Sequence, residues 1–286
     1  MKKTLPLLLI ISFLVTFTGC KKNSPSIDIS QLEESTLETK YLDKPSTGRP
    51  KNHKEIDNIF IALNTLKNAS YYESSSSGEV VAKKAIKLAT QTVTNRRIIT
   101  PNATFSESIS VSSFVKVAEQ LYSTDSKTLK RDAKKVSSSA NITWNNNVTE
   151  LTEAKQKELY GYSHNDPTRY IINEKTIISE IEVINNGIGR KYSYKFYLDP
   201  QIASYYYRNS VKTLSGSSSH PTFKSIEVTM TFDYKWRMSK IETNEVYEID
   251  IPALGAVTCY AHLTETFKNF EKRIEISEQS FFKNYL

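Results

Sequence analysis

The chain has 286 residues, of which 38% are hydrophobic and 24% charged, and a formal net charge of +7. This length allows one large domain or two small ones. The basic residues are scattered: the densest groups, Lys83-Lys84 and Lys134-Lys135, hold two residues each and have no aromatic residues between them. A groove for nucleic acid needs a basic stripe with stacking aromatics, so we expect no nucleic acid partner. The mild positive charge favours attraction to anionic lipid heads or wall polymers.

The first 19 residues have the pattern of a signal peptide. Lys2 and Lys3 form a positive start, and Leu5–Phe17 is an apolar run interrupted by Pro6. The run is too short to span a bilayer, which needs about 20 apolar residues. We therefore predict a signal peptide over residues 1–19. Its removal lowers the net charge by two, to +5.

The chain has two cysteines, Cys20 and Cys259. Phe17-Thr18-Gly19-Cys20 resembles the lipobox of bacterial lipoproteins, although leucine is usual where Phe17 stands. The resemblance implies cleavage before Cys20 and a diacylglyceryl anchor on its thiol, which leaves one thiol and excludes a disulfide framework. Two acyl chains anchor a protein stably. We predict a lipid-anchored protein on the outer, extracytoplasmic face of the cell membrane; the alternative is an ordinary signal peptide followed by a coincidental cysteine.

Residues 20–51 are predicted to form a flexible tether. They are rich in Lys, Ser, Glu, Thr and Pro and poor in aromatic residues, so they cannot bury enough apolar surface to offset their ordering entropy. Residues 52–286 are predicted to form a single globular domain. The domain opens with apolar residues at the spacing of one helix face, namely Ile56, Ile59, Phe60, Leu63 and Leu66.

The middle of the chain is dominated by β-branched and hydroxylated residues. The segment GEVVAKKAIKLATQTVTNRRI, residues 78–98, fits either a helix or a strand by spacing, and its composition favours a strand. Residues 105–122 are predicted to form another strand, with a bend at Ser112-Ser113. Residues 123–168 are predicted to be loops with short helices.

The C-terminal third predicts a strand, a helix and an antiparallel meander. Alternating apolar residues indicate strands over residues 192–198, 226–232, 241–251 and 257–267. Asp199-Pro200 has the pattern of a helix start. The predicted helix places Ala203, Tyr207, Val211 and Leu214 along one face.

Cys259 and His262 form a CxxH spacing that a nucleophile with its base, or two metal ligands, could use. In a strand, residues three apart point to opposite faces, so we predict a small core cysteine and an outward histidine. Ser218 and His220, in GSSSH, are better explained by a serine-rich loop. We predict no metal, no cofactor and no catalytic residue.

Two carboxylates in the meander call for explanation. A turn at residues 252–255 that pairs Ile249 with Cys259 would place Glu245 and Glu265 diagonally on the apolar side of the sheet. They could then form an acid/base pair or the polar end of a cavity that holds a head group. The alternative is a wet end of the sheet, where both carboxylates are solvated or one pairs with Arg237.

Residues 191–267 contain four recognisable motifs. They are a strand that ends in Leu-Asp-Pro, a Tyr-rich helix, a strand that starts with Pro-x-Phe-Lys, and a strand that contains Glu-x-Tyr. With these motifs the chain resembles uncharacterised surface lipoproteins of low-GC Gram-positive bacteria. More distantly, its order of elements is similar to the lipoprotein-carrier and mycobacterial glycolipid-carrier folds. That similarity implies an α+β fold: a curved antiparallel sheet, or half-open barrel, with helices packed on its concave face.

We therefore expect a membrane-anchored protein that binds an apolar or amphiphilic ligand, such as a lipid or glycolipid, and is not an enzyme. One alternative is a non-catalytic surface interaction or structural lipoprotein that meets a cell-wall polymer; another is an enzyme that uses Glu245 and Glu265. The residues predicted to line the cavity would serve equally well as a closed core. They are Tyr194, Phe196, Tyr207, Val228, Met230, Ile241, Tyr247 and Leu263.

Overall fold

The computed structural model describes residues 32–113, 115–162, 166–215, 217, 219–251 and 255–286. Residues Leu32–Leu286 belong to one compact unit. The predicted signal peptide, Cys20 and Ser218 lie outside the described residues, so the inferences about them stay predictions. No helix within the described ranges is long and apolar enough to cross a membrane.

The described residues form twelve strands and five α-helices. The helices are α1 (Glu55–Lys67), α2 (Glu153–Tyr160), α3 (Pro200–Ala203), α4 (Arg208–Ser215) and α5 (Gln279–Phe282). The strands are β1 (Tyr72–Lys83), β2 (Lys87–Thr100), β3 (Ala103–Val111), β4 (Lys116–Ser123), β5 (Thr128–Ser138), β6 (Asn141–Trp144), β7 (Thr149–Leu151), β8 (Glu182–Asn186), β9 (Lys191–Leu198), β10 (Thr222–Asp233), β11 (Met238–Ile251) and β12 (Gly255–Lys268).

All twelve strands join one antiparallel sheet. The order is β6-β5-β4-β3-β2-β1-β12-β11-β10-β9-β8, and β7 pairs with β5. The first and last strands meet in the middle of the sheet, where Val80 lies opposite Ala261. Edge strands β6 and β8 do not pair with each other in the described part of the chain. The predicted fold class, α+β with a curved antiparallel sheet that stays open, is confirmed.

Helix α1 packs on the concave face of strands β9–β12, where every second side chain is apolar. Ile59, Phe60 and Leu63 are fully buried in the same cluster as the inward side chains of those strands. The predicted helix at this position and the predicted strands of the meander are confirmed. Alternation places one apolar face of each strand against the helix, so this half of the concave face is a filled core.

Strands β2–β5 bury apolar residues on the opposite, convex face. The C-terminal segment covers strands β2–β5 there: Phe282 stacks on Tyr122 with ring centroids 5.2 Å apart, and Arg96 Nη1 donates to Glu278 Oε1 at 2.8 Å. Ile98, Phe105 and Leu129 belong to this second cluster. Because most apolar side chains of these strands face outward to the C-terminal segment, the concave side of this half carries mainly polar residues, together with Val93 and Leu121.

Residues 123–168, predicted as loops with short helices, instead contain β5, β6 and β7 as well as the short helix α2. Most of β5 is exposed or half-buried on both faces, and its fully buried residues are Thr128 and Leu129. A strand that is exposed to solvent on both faces has no alternation of apolar and polar residues, so its sequence lacks the two-residue period that predicts a strand. The strand prediction for residues 78–98 is confirmed, with a turn between β1 and β2.

The helix predicted to run from residue 200 through Leu214 is interrupted. It consists of α3 and α4, separated by a turn over residues 204–207. The carbonyl oxygen of Ala203, which a continuous helix would use for the N–H of Tyr207, accepts the N–H of Ile171 at 3.0 Å. A tertiary hydrogen bond therefore replaces the helical one, and Asp199 caps α3 as predicted, accepting from the N–H groups of Gln201 and Ile202.

The predicted tether ends earlier than residue 51. Thr36 is buried, Asn173 Nδ2 donates to the carbonyl oxygens of Thr36 and Glu38 at 3.1 and 2.8 Å, and Lys40 N donates to Ile172 O at 2.9 Å. The segment is low in apolar residues and packs on the domain mainly through hydrogen bonds to its backbone, with Tyr41 and Leu42 partly buried against the core. Hydrophobic composition alone does not reveal such contacts.

Candidate functional site

A cavity of about 200 Å³ lies on the concave face, where the apolar and polar halves of the sheet meet. Residues of α2, α4 and the segment 166–170 form the wall opposite the strands. Six of the eight residues predicted to line a cavity do so: Tyr207, Val228, Met230, Ile241, Tyr247 and Leu263.

Tyr194 and Phe196 do not line the cavity and belong to the filled core beside α1. The Tyr194 hydroxyl accepts a hydrogen bond from Asn58 Nδ2 at 3.1 Å, and Asn58 Oδ1 accepts from Trp236 Nε1 at 2.8 Å. The second Asn58 donor goes to the carbonyl oxygen of Pro50 at 2.8 Å. A buried amide with its donors and acceptor satisfied holds these aromatic residues in place, so the closed-core alternative is correct for these two residues.

The apolar wall of the cavity comes from β10–β12 and α4. Val228 and Met230 on β10 are less than 2% exposed, and Leu263 on β12 is 6% exposed. Val211 and Leu214 of α4 face them across the cavity. The wall therefore offers an apolar surface suited to a hydrocarbon group.

The polar wall comes from β1–β4 and was missed by the sequence prediction. It carries a ladder of serines, Ser74 and Ser76 on β1 and Ser106, Ser108 and Ser110 on β3. Asn95 Nδ2 donates to Ser76 Oγ at 2.8 Å. The signal was present in the sequence ATFSESISV, where serine alternates with Phe105, Glu107 and Ile109, but a polar period-2 pattern also fits an exposed strand face.

Glu245 forms the centre of a buried polar cluster in the cavity wall, and its side chain is 1% exposed. The Tyr170 hydroxyl donates to Glu245 Oε1, and Arg169 Nη2 lies 3.6 Å from the same oxygen and 3.0 Å from Thr243 Oγ1. Burial raises the pKa of Glu245, an effect that Arg169 and the Tyr170 hydroxyl oppose. Glu245 Oε2 is buried without a hydrogen-bond partner among the described residues.

Two other carboxylates of the cavity wall also have basic partners. Arg97 Nη2 lies 3.4 Å from Glu265 Oε1, and Arg97 Nη1 donates to the carbonyl oxygen of Asp166 at 2.8 Å. Lys130 Nζ lies 3.3 Å from Glu119 Oε2, which also accepts from the Tyr160 hydroxyl at 3.0 Å. Burial raises the pKa of Glu119 against the effect of these two partners. The guanidinium groups of the cavity are thus engaged with carboxylates or carbonyl oxygens.

The predicted pairing of Ile249 with Cys259 is wrong, because Cys259 pairs with Tyr247. Gly255 has a φ of +70° and pairs with Ile251; glycine adopts this angle without strain, so β12 starts earlier than predicted. Glu245 then faces Ala261, while Glu265 faces Ile241. Both carboxylates are on the cavity side, as predicted, but they are four residues apart along the strands, or about 13 Å.

Cys259 and His262 lie on opposite faces of β12, as predicted. Cys259 is buried beside Tyr247, and burial raises the pKa of its thiol to about 11. His262 is exposed, and its Nδ1 lies 2.7 Å from Asn244 Oδ1. No group of three or more His, Cys, Asp or Glu side chains suited to a metal ion occurs in the ranges that the structure describes. Among described residues, Arg237 pairs with Asp233 at 2.6 Å and not with either cavity glutamate.

Comparisons with known proteins give distant similarities. No family model matches the chain, and no curated protein matches it. A crystal structure of a DUF1329 family protein from Desulfovibrio piger aligns over 81% of this chain and 97% of its own, with 9% identity and a TM-score of 0.29. A variant of the GphF dehydratase aligns over 74% of this chain and 83% of its own, with 9% identity and a TM-score of 0.12. Scores this low carry no argument about fold or function, and the resemblance to surface lipoproteins stays a prediction.

Proposed function

We propose that this protein binds an amphiphilic ligand in the cavity and acts from the outer face of a membrane, where a lipid on Cys20 anchors it. The observation that carries the binding proposal is the division of the cavity into two walls. Val228, Met230 and Leu263 offer an apolar surface on one side, and the serine ladder faces it on the other. A ligand with one hydrocarbon part and one polar part complements both walls.

The cavity volume limits the size of the ligand. About 200 Å³ is below the roughly 300–1,000 Å³ typical of sites for drug-sized molecules. A single acyl chain segment with a small head group suits this volume better than a lipid with several chains. The remainder of a longer chain would extend beyond the cavity.

The charges of the cavity favour a head group that donates hydrogen bonds. Glu245 Oε2 is a buried acceptor without a partner among described residues, and leaving such an atom unpaired costs about 1–3 kcal/mol. Arg97 and Arg169 already pair with Glu265 and Glu245. A hydroxyl or amine group that displaces a neighbouring side chain of the wall can satisfy Oε2, whereas an anionic head would have to compete for arginines that are already engaged.

We infer a binding protein and not an enzyme. General acid/base chemistry by two carboxylates needs both groups within reach of one substrate atom or of one water. The strand register separates Glu245 and Glu265 by four residues, and each is paired with its own arginine. Their arrangement is better suited to orienting a polar head group than to transferring a proton between them.

Native mass spectrometry of the full chain, gently extracted from membranes, tests the proposal. We expect a mass excess that organic extraction removes and that fragments as a single-chain amphiphile. A chain with no bound ligand that also fails to bind added amphiphiles would contradict the proposal. That outcome would favour the surface interaction alternative, for which Ile184 and Ile188, beside the open edge of β8, offer exposed apolar surface.

A further inference from the structure

The tip of the β1–β2 hairpin exposes an apolar side chain among lysines. Residues 83–87, Lys-Lys-Ala-Ile-Lys, are all exposed, and Ile86 is 73% exposed. Lys84 N donates to Ile86 O at 3.1 Å, which closes the turn. A large apolar side chain held out at the end of a long hairpin contributes nothing to the core. Such a side chain, when flanked by basic residues, matches the interfacial region of a bilayer.

Neighbouring elements extend this basic tip. Lys83 Nζ lies 4.8 Å from the centroid of the Tyr260 ring, and Tyr260 is 44% exposed on β12. Aromatic side chains of this kind are enriched at the level of lipid head groups. Lys84 Nζ lies close to Gly255: a Cβ atom added to this glycine would be 3.9 Å from the amine. The start of β12 therefore lies beside the hairpin tip.

Two basic residues of α4, Arg208 and Lys212, lie near the loop before β10. Ser217 Oγ donates to the carbonyl oxygen of Asp250, and Ser219 Oγ donates to Asp250 Oδ2, both at 3.0 Å. These contacts fix the loop to the end of β11. His220, in the same loop, has its pKa lowered by burial and by the positive charges of Arg208 and Lys212.

The two acidic residues near the end of β11 already have partners. Asp250 is bonded by the two serines of the loop, and Glu248 pairs with Lys224 at 3.0 Å. The three lysines of residues 83–87 are exposed at an end of the sheet where basic residues exceed acidic ones. That charge is complementary to anionic lipid head groups.

We propose that the end of the sheet formed by residues 83–87 and Tyr260 docks on an anionic lipid bilayer, with Ile86 inserted among the head groups. This is a second membrane contact, in addition to the predicted lipid anchor. It rests on the proposed location at a membrane and does not depend on what the cavity binds.

Docking in this orientation would bring the cavity close to the lipid. Val80 and Gln91 line the cavity and lie three and four residues from the ends of β1 and β2 at the tip. Leu214 and Ser215 line it from the end of α4, just before the loop that is bonded to Asp250. An amphiphile could then pass between the bilayer and the cavity without crossing much water.

Hydrogen-deuterium exchange on the full lipidated chain in nanodiscs tests the docking. Discs of phosphatidylcholine with phosphatidylglycerol should slow amide exchange at residues 84–88 by at least about tenfold relative to discs of phosphatidylcholine alone. The protection should disappear in about 1 M salt, where the Debye length falls to about 3 Å. Equal exchange in both discs would contradict the proposal.

Two triple variants distinguish docking through this hairpin tip from a general effect of the protein's net charge. Lys83→Glu, Lys84→Glu and Lys87→Glu together should weaken the docked state by about a hundredfold or more and abolish the protection. Lys272→Glu, Arg273→Glu and Lys283→Glu change the net charge equally at exposed positions of the C-terminal segment and should leave the protection intact. Loss of protection in both variants would overturn the assignment to this tip.

The same experiment keeps the two proposals apart. Protection at the tip of a chain that carries no amphiphile would support docking and contradict the proposed cavity function. A chain that holds an amphiphile but shows no protection in anionic discs would support the proposed cavity function and contradict the docking. A chain that does not associate with discs of either composition would overturn both the docking and the proposed location.

Discussion

Ala261→Phe is expected to weaken binding of a fluorescent single-chain amphiphile by about 100-fold, which corresponds to about 2.7 kcal/mol. Ala261 is 5% exposed, lies opposite both Glu245 and Val80, and lines the cavity. A phenylalanine ring at this position would occupy space where the ligand is proposed to lie. Fluorescence anisotropy titrations of the wild type and the variant measure the change in Kd.

His262→Phe is the matched control for this prediction. His262 is the next residue on the same strand, is exposed and points to the opposite face, so the same side chain there should leave Kd unchanged. Urea unfolding should show that Ala261→Phe loses no more than about 1–3 kcal/mol, the usual range for overpacking. Equal Kd values for the wild type and both variants would place the ligand outside the cavity.

Arg169→Leu is expected to reduce the free energy of unfolding by about 3–5 kcal/mol at pH 7, because it leaves the buried carboxylate of Glu245 without its cation. The Arg169 side chain also packs against aromatic rings, with its guanidinium carbon 4.9 Å from the centroid of Tyr207. Leucine retains part of that packing, so most of the loss should be electrostatic. Urea unfolding followed by circular dichroism measures it.

The loss of unfolding free energy in Arg169→Leu should increase with pH. Burial already raises the pKa of Glu245 in the folded protein, so the stability associated with its neutral form is present at low pH and is lost as the pH rises through the folded-state pKa. Without Arg169 this pKa rises further. The deficit of Arg169→Leu should therefore be smallest at acidic pH and grow toward neutral pH.

Two further variants control for this interpretation. Glu245→Gln added to Arg169→Leu should recover much of the stability at pH 7 and flatten the pH dependence, since no buried charge remains. Arg237→Leu removes an arginine whose side chain is 41% exposed and which pairs with Asp233, and should cost at most about 1 kcal/mol. A deficit of Arg169→Leu that is equal at all pH values would contradict the role assigned to Glu245.

The sequence predicted the parts of the fold in which apolar residues alternate on one buried face. The meander of β10–β12 is of this kind: Val228, Met230 and Leu263 were placed on the inner face by their spacing alone. The register between β11 and β12 was not predictable in the same way, because shifting the pairing by two residues keeps every side chain on its face. In the observed register Gly255, with a φ of +70°, pairs with Ile251.

The polar wall and the charged cluster were beyond the reach of sequence patterns. The serines of β3 alternate as residues of a solvent-exposed strand would. They face the cavity because Phe105 and Ile98 pack against the C-terminal segment on the other face. Arg169 and Tyr170 lie in a segment without periodic signal, and only the tertiary fold brings them to Glu245. Polar residues buried by long-range contacts leave no local pattern.

A crystal structure of the full chain, purified with its co-extracted amphiphile, shows whether the ligand lies in the cavity. We expect continuous density for a hydrocarbon chain against Val228, Met230 and Leu263, with a donor group of the ligand within hydrogen-bond distance of Glu245 Oε2. A cavity closed by side chains or holding only ordered water, with the amphiphile bound elsewhere on the protein, would contradict the proposed cavity function.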